Sequence, residues 1–231
     1  MNSNLEKGSN SDIIIQKETG KNNIIFFGDS ISYGELVSPH NTWINKISAL
    51  IEENYTNQFL IINSSINGNT TRMALERMPN DVQKYGVFLL IIQFGMNDCN
   101  YWQTDQGMPR VSPDVFRYNL KEIISRGRKF GAKKILIPTS HPTPLNKPFS
   151  YSLCSYEESR RLYSQIIRKV AADDNNVSLI DIEKDFEQKI IEGEKLQDYL
   201  MPDGIHLSLK GHEFYFSTFC PIILEELKNI I

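Results

Sequence analysis

The alternation of short apolar runs with longer amphipathic stretches is the feature that most constrains the fold of this chain. Runs rich in Ile, Val, Leu and Phe recur at residues 24–27, 59–62, 87–94, 134–138 and 177–182. Because these runs are apolar on both faces, they are typical of strands in a parallel sheet that is covered on each side. Parallel neighbours need long crossover connections, and the stretches between the runs are long enough to supply them.

Apolar residues at spacings of three and four predict helices in those connections. The pattern runs from Trp43 to Ile51, from Val115 to Ile124, from Tyr156 to Ala172 and from Leu207 to Leu227. Ser112 and Pro113 are suited to begin the second of these helices, and Gly131 is suited to end it. We therefore predict an α/β fold, a flavodoxin-like three-layer α/β/α sandwich with right-handed crossovers and a mainly parallel five-stranded sheet.

Length and composition are those of one globular unit. The chain has 231 residues, of which 40% are hydrophobic and 23% are charged, so it can bury a substantial core. We predict a single domain over residues 23–231. Residues 1–22 are a polar extension rich in Asn, Ser and Lys, which we expect to be loose or disordered, with a short edge strand at 13–15 as its one candidate element.

Charge and cysteine usage exclude several classes of function. The formal net charge of -3 argues against a nucleic-acid surface, because phosphate binding needs clustered surplus Lys and Arg. No apolar stretch approaches a membrane span, and the N-terminal residues lack the apolar run of a signal peptide. Cys99, Cys154 and Cys220 lie far apart without metal-binding spacing, which indicates free thiols. We expect a cytoplasmic protein without metal, cofactor, nucleic-acid or membrane partner, and the oligomeric state is open.

Small and polar residues follow the predicted strands at the sheet edge where ligands bind in such folds. The segments are Gly28-Asp29-Ser30-Ile31, Ile66-Asn67-Gly68-Asn69-Thr70, Gly95-Met96-Asn97-Asp98 and, before the last helix, Asp203-Gly204-Ile205-His206. Each segment alone is common by chance, and their order is the specific signal. In that order they resemble the blocks of the SGNH hydrolases, also called the GDSL esterase/lipase family, from about residue 24 to about residue 225. Ile31 stands where Leu is commoner in that family.

The resemblance implies a serine hydrolase, and residue chemistry supports the same roles. A serine hydroxyl needs a base to become a nucleophile, which assigns Ser30 as nucleophile and His206 as base. Asp203, three residues earlier, is placed to orient the imidazole ring. The resemblance also implies an oxyanion hole made by the N–H groups of Ser30 and Gly68 and by the side chain of Asn97. The implied reaction is hydrolysis of a short acyl ester on a carbohydrate or other small metabolite, through an acyl-serine intermediate.

Three further residues are candidates for substrate contacts. Trp102 and Arg110 lie in the long connection between Asn100 and Pro113, and such connections are often binding loops. An indole ring forms a wall for a sugar or acyl group, and a guanidinium binds a carboxylate or phosphate. His141 follows the fourth predicted strand and therefore faces the same crevice. Packing beneath the long loop is an equally good interpretation of Trp102.

Other functions, and purely structural roles for some of these residues, are compatible with parts of this pattern. An acyltransferase acting on a sugar hydroxyl would use the same triad and oxyanion hole. A non-catalytic flavodoxin-like binding module would use the same sheet edge. Ser30 could serve only as a helix N-cap, and Asp203 with His206 could form a capping pair before the last helix. Catalysis by a triad is preferred over the binding module and the capping roles because it explains all four segments together, while hydrolysis and acyl transfer to a sugar both stay open at this point.

Overall fold

Five parallel strands form the sheet in the computed structural model, which describes residues 20–231. The strands are β1 (Asn22–Gly28), β2 (Phe59–Asn63), β3 (Leu89–Gln93), β4 (Lys134–Pro138) and β5 (Val177–Ile180). Their order is β2-β1-β3-β4-β5, and every neighbouring pair is parallel. The predicted parallel five-stranded sheet is confirmed.

The described residues form α-helices between and after these strands. They are α1 (Ser30–Tyr33), α2 (Trp43–Asn54), α3 (Thr71–Asp81), α4 (Pro113–Lys129), α5 (Tyr156–Ala172), α6 (Ile182–Ile191) and α7 (Leu209–Ile230). Short 3-10 turns lie at residues 39–41, 83–85, 103–105 and 196–199. The four helices that the apolar spacing predicts are α2, α4, α5 and α7. Pro113 is the first residue of α4, as predicted, although the hydroxyl of Ser112 makes no capping hydrogen bond.

Two neighbouring phenylalanines of β1 show how helices cover both faces of the sheet. Successive side chains of a strand point to opposite faces. The ring of Phe26 packs edge-on against Trp43 of α2 at 5.4 Å, whereas Phe27 lies under the guanidinium of Arg77 of α3 at 4.4 Å. Helix α2 contacts α7, and α3, α4 and α5 contact one another in series. The three-layer sandwich is therefore confirmed.

The third and fifth strands are shorter than the apolar runs that predict them. Val87 is buried in a loop, where its N–H binds the carbonyl of Phe130, and Ile182 is buried as the first residue of α6. An apolar run therefore marks burial, whereas a strand ends where its ladder of hydrogen bonds ends.

Most of the predicted N-terminal extension, including the candidate strand at 13–15, lies outside the described residues. Strand β1 begins at Asn22, one residue before the predicted domain boundary. Within residues 20–231, no helix is long and apolar enough to cross a membrane. Cys99, Cys154 and Cys220 are free thiols in this structure, as predicted.

Candidate active site

Ser30 is the first residue of α1, directly beyond the carboxyl end of β1. The cap of this helix is Asp29, whose Oδ1 accepts the N–H of Ile31 at 3.0 Å. Ser30 is therefore not the N-cap, and its hydroxyl is free for another partner. Gly28 ends β1 at a point without room for a side chain, because an added Cβ there would lie 2.9 Å from the carbonyl oxygen of Gln93. Burial raises the pKa of Asp29 to about 7, although the bond from Ile31 opposes this shift.

The imidazole of His206 lies between Ser30 and Asp203. Its Nε2 is 2.9 Å from Ser30 Oγ, and its Nδ1 is 2.6 Å from Asp203 Oδ2. With the proton held on Nδ1 by the carboxylate, Nε2 is free to accept the serine proton. The capping alternative for Asp203 and His206 is wrong, because the N-cap of α7 is Ser208.

The carboxylate of Asp203 binds its own segment as well as the imidazole. Its Oδ1 accepts the backbone N–H groups of Ile205 at 2.8 Å and of His206 at 3.0 Å. Partial burial raises the pKa of Asp203, but the hydrogen bonds from His206 and from these N–H groups outweigh it and leave the pKa below its ordinary value. Asp203 is therefore ionised at neutral pH and can stabilise an imidazolium.

Gly68 and Asn97 lie in the loops that follow β2 and β3, at the same sheet edge as Ser30. The backbone of Gly68 has a φ of 74°, in the left-handed region that favours glycine, and an added Cβ would meet nothing within 4 Å. Glycine is thus required by the backbone conformation, and the space above it is open. Asn97 is half-buried and has both an amide donor and an acceptor for hydrogen bonds.

Asp98 connects the two loops that carry Gly68 and Asn97. Its Oδ1 accepts the N–H of Thr71 at 2.9 Å and the hydroxyl of Thr71 at 2.5 Å. Burial raises the pKa of Asp98 to about 6, although both bonds from Thr71 lower it. The sequence interpretation of Asp98 as a brace for the Asn97 loop is confirmed. Its partner was not identifiable from sequence, since the contact joins residues that are 27 positions apart.

Arg110 binds the same two loops from the side of the long connection. Its Nη1 lies 3.1 Å from the carbonyl oxygen of Gly68 and 3.2 Å from Oδ1 of Asn97. Its Cζ lies 4.0 Å from the ring centroid of Trp102, and the Trp102 side chain is half exposed. The structure gives Arg110 protein partners that the sequence did not predict. Contacts of Arg110 or Trp102 with a substrate stay predictions.

His141 is fully buried, so the prediction that it touches substrate is wrong. Its Nδ1 lies 2.7 Å from the hydroxyl of Tyr215, and its Nε2 lies 2.8 Å from the carbonyl oxygen of Ile205. Burial lowers the pKa of His141 to about 4, so the ring is neutral at pH 7. A neutral ring can accept from Tyr215 and donate to Ile205. His141 thus supports the segment that carries His206 from behind.

No set of three or more His, Cys, Asp or Glu side chains within residues 20–231 is grouped so as to hold a metal ion. Like His141, His212 of α7 is buried, and it is part of the core, where its Nδ1 accepts the backbone N–H of Trp43 at 3.3 Å. The groups that contact Ser30 directly or through the imidazole, His206 and Asp203, are suited to acid–base and nucleophilic chemistry.

Comparison with known proteins agrees with this geometry. The model of the GDSL-like lipase/acylhydrolase family matches residues 26–214, a range that contains every proposed triad and oxyanion residue. The uncharacterized lipoprotein YqeF of Bacillus subtilis (strain 168) is 30% identical over 214 residues, which cover 83% of this chain and 85% of that protein. The arylesterase of Vibrio mimicus is 28% identical over 128 residues, 55% of this chain and 59% of the arylesterase.

A solved structure with a related sequence extends the likeness to three dimensions. The crystal structure of the acetyl xylan esterase AlAXEase superposes with a TM-score of 0.70 at 26% identity, covering 87% of this chain and 99% of that one. The family match spans most of the described residues, and the fold and the order of the four segments agree with it. This chain belongs to the GDSL-like lipase/acylhydrolase family, the SGNH hydrolases, and is an ester-hydrolysing enzyme.

Proposed function

We propose that this enzyme hydrolyses short acyl esters through a covalent acyl intermediate on Ser30. The observation that carries the proposal is the 2.9 Å distance between Ser30 Oγ and His206 Nε2, with Asp203 on the far side of the ring. As the hydroxyl attacks the ester carbonyl, its proton moves to Nε2, and the leaving alcohol then takes that proton. Water attacks the acyl-serine in the same manner, releases the acid and restores the hydroxyl.

The negative charge that develops on the ester oxygen needs hydrogen-bond donors. In this proposal the donors are the backbone N–H groups of Ser30 and Gly68 and the side-chain N–H of Asn97. The open space above Gly68 supports this role, because a substrate can approach its backbone closely. Removal of one such donor costs roughly 2.7–4 kcal/mol of transition-state stabilisation.

A carbohydrate is the proposed alcohol part of the substrate. An open groove of about 670 Å³ lies between the segment from α1 to α2 and the loop after β2. No triad residue lines it, but its lining begins at Tyr33, the last residue of the helix that starts with Ser30. The polar lining of the groove includes Tyr33, Glu35, Asn45, Asn63 and Asn67. Such amide, hydroxyl and carboxylate groups suit a ligand rich in hydroxyls, and the half-exposed indole of Trp102 offers a face for a sugar ring. The similarity to an acetyl xylan esterase points to the same class. The cytoplasmic location that the sequence predicts is a separate proposal, which does not depend on the site or on the groove.

Labelling with a fluorophosphonate probe tests the nucleophile. Ser30 and Ser32 lie in the same tryptic peptide, so fragment ions must locate the label. We expect the label on Ser30 alone, and we expect Ser30→Ala to prevent labelling and to lower kcat by about 10⁶-fold. Ser217→Ala removes an exposed hydroxyl of α7 and is the matched control. Full activity in Ser30→Ala, or a label on another serine, would overturn the mechanism.

The same wild-type and Ser30→Ala preparations test the substrate. Rates of acetate release from acetylated xylooligosaccharides are compared with rates on p-nitrophenyl acetate and p-nitrophenyl octanoate. We expect the highest kcat/KM on the sugar ester and a fall from acetate to octanoate. A preference for octanoate would overturn the short-acyl proposal. Acetate that falls short of the ester consumed when free sugar is added would indicate acyl transfer to the sugar in place of hydrolysis.

A further inference from the structure

We infer that Arg110 is a positioning residue for the oxyanion hole, which fixes the Gly68 and Asn97 donors through a single nitrogen. The inference rests on the proposed chemistry at Ser30. Arg110 Nη1 lies 3.1 Å from the carbonyl oxygen of Gly68 and 3.2 Å from Asn97 Oδ1. One group thus joins the loops that follow β2 and β3, from which two of the three proposed donors come.

The bond to Asn97 determines which end of its amide faces the substrate. A side-chain amide has an acceptor oxygen and a donor nitrogen, and only the nitrogen can stabilise an oxyanion. A guanidinium has donors only and stays charged at any physiological pH. If the side-chain amide of Asn97 were rotated by 180°, its NH₂ group would face the guanidinium of Arg110. Two hydrogen-bond donors would then point at each other, which is unfavourable. Arg110 therefore holds the oxygen on its own side and leaves the NH₂ group for the substrate.

The bond to Gly68 acts on the backbone. Glycine at a φ of 74° has wide conformational freedom, so its peptide groups can rotate at little energetic cost. Because the carbonyl of Gly68 is bound to Arg110 at 3.1 Å, the loop is held in the conformation that the structure shows. Donors that are oriented before the reaction begins need no reorganisation at the transition state, which is the main source of oxyanion stabilisation.

Trp102 and Asp98 make this position suitable for a fixed positive charge. The indole of Trp102 covers the guanidinium at 4.0 Å and shields one face of it from water. This partial burial lowers the pKa of Arg110, and the nearby carboxylates of Asp98 and Asp105 oppose the shift. A shielded charge acts on its neighbours more strongly than one in open water. Arg110 thus adds electrostatic support on the side of the site where negative charge develops.

A double-mutant cycle with Asn97 tests the inference. Arg110→Met removes the charge and the donors and keeps an unbranched side chain of similar reach. We expect it to lower kcat on neutral p-nitrophenyl acetate on the order of 10²-fold, with KM changed by less than about threefold. If Arg110 acts mainly through Asn97, the same change in an Asn97→Ala background should cost at least about tenfold less. Arg117→Met is the matched control, since Arg117 also stacks on an aromatic ring, that of Tyr118, at 4.7 Å on an exposed helix face.

The outcomes separate this inference from the proposed function. Additive losses in the cycle would overturn the inference that Arg110 orients Asn97 and would leave the triad untouched. An Arg110→Met enzyme with unchanged kcat on the neutral ester, but with a raised KM on anionic esters, would make Arg110 a substrate-binding residue instead. Activity retained in Ser30→Ala would overturn both proposals. If Arg110→Met does not fold, Arg110→Lys keeps the charge, and its expected result is a fall in kcat of about tenfold that is likewise smaller in the Asn97→Ala background.

Discussion

The two sides of Ser30 are supported in different ways. On one side, the segment at residues 203–206 carries the proposed base His206, and the ring behind it is His141, which is buried and neutral. On the other side, the loops with the proposed oxyanion donors are held by the guanidinium of Arg110 and the buried carboxyl of Asp98. The base segment is thus held from behind by a neutral ring and from within by the ionised Asp203, whereas the oxyanion side is held by charged groups from distant parts of the chain.

The two sides also differ in the distance along the chain over which their contacts form. Asp203 binds the imidazole and the backbone N–H of His206, only three residues away. Arg110 binds Gly68 across 42 residues, and Asp98 binds Thr71 across 27. A local turn therefore orients His206 against Asp203, with additional support from His141 across 64 residues, whereas the oxyanion donors are oriented only when β2 and β3 have joined the sheet. We expect substitutions within the segment at residues 203–206 to act on catalysis with little change in stability, and substitutions at the oxyanion loops to act on stability as well.

Among the variants that test the contrast between the two sides, Asp203→Asn has the largest expected effect. The variant loses the carboxylate that holds the proton on Nδ1 of His206, and the comparable change in a serine protease lowers kcat by about 10⁴-fold. An amide oxygen can still accept the N–H groups of Ile205 and His206, so we expect the melting temperature to change little. Initial rates and thermal unfolding measure both. Asp198→Asn, an exposed acid on the preceding turn, is the control. A loss in kcat below tenfold would mean that His206 does not need an orienting carboxylate.

The next effect is on stability, at the oxyanion side. The pKa of Asp98 is about 6 in the folded protein and 3.8 in a model peptide. Between these values the folded state holds more protons than the unfolded state, so the free energy of unfolding falls as pH rises from about 4 to about 6. Asp98→Asn keeps an acceptor for Thr71 and has no charge. We therefore expect its stability relative to wild type to rise by about 3 kcal/mol between pH 4 and pH 7.

Urea unfolding at several pH values between 4 and 7.5 tests this prediction. In the Asp98→Asn variant an amide N–H has no partner, and the loss of stability that this causes does not depend on pH. The quantity to measure is therefore how the difference in unfolding free energy between variant and wild type changes with pH. Burial raises the pKa of Asp29 in both proteins, but the charge of Asp98 adds to that rise, so the titration of Asp29 cancels from the difference only in part. Parallel curves for the variant and the wild type would show that Asp98 does not titrate in this range.

The features that could be predicted from the sequence depend on the spacing of apolar residues along the chain or on short motifs. The parallel strands and the helices α2, α4, α5 and α7 follow from apolar spacing. Helix α3 was not predicted individually, because its sequence is polar and includes Pro79 near its end. The base segment was found because Asp203-Gly204-Ile205-His206 is a short continuous motif that resembles a block of the SGNH hydrolases, and the two residues contact each other within that segment. The partners of His141, Arg110 and Asp98 come from distant elements, so no local pattern indicated them.

The smallest expected effect concerns the base side, where Tyr215→Phe removes the hydroxyl that binds Nδ1 of His141. The phenyl ring keeps its packing against Phe219, but the buried nitrogen loses its partner, which costs about 1–3 kcal/mol of stability. We expect kcat to fall by less than about tenfold, because Asp203 holds the segment by its own bonds. Urea unfolding and initial rates measure the two effects, with the exposed Tyr118→Phe as control. A hundredfold loss of kcat would show that the base, like the oxyanion donors, depends on distant support, and the contrast between the two sides would then fail.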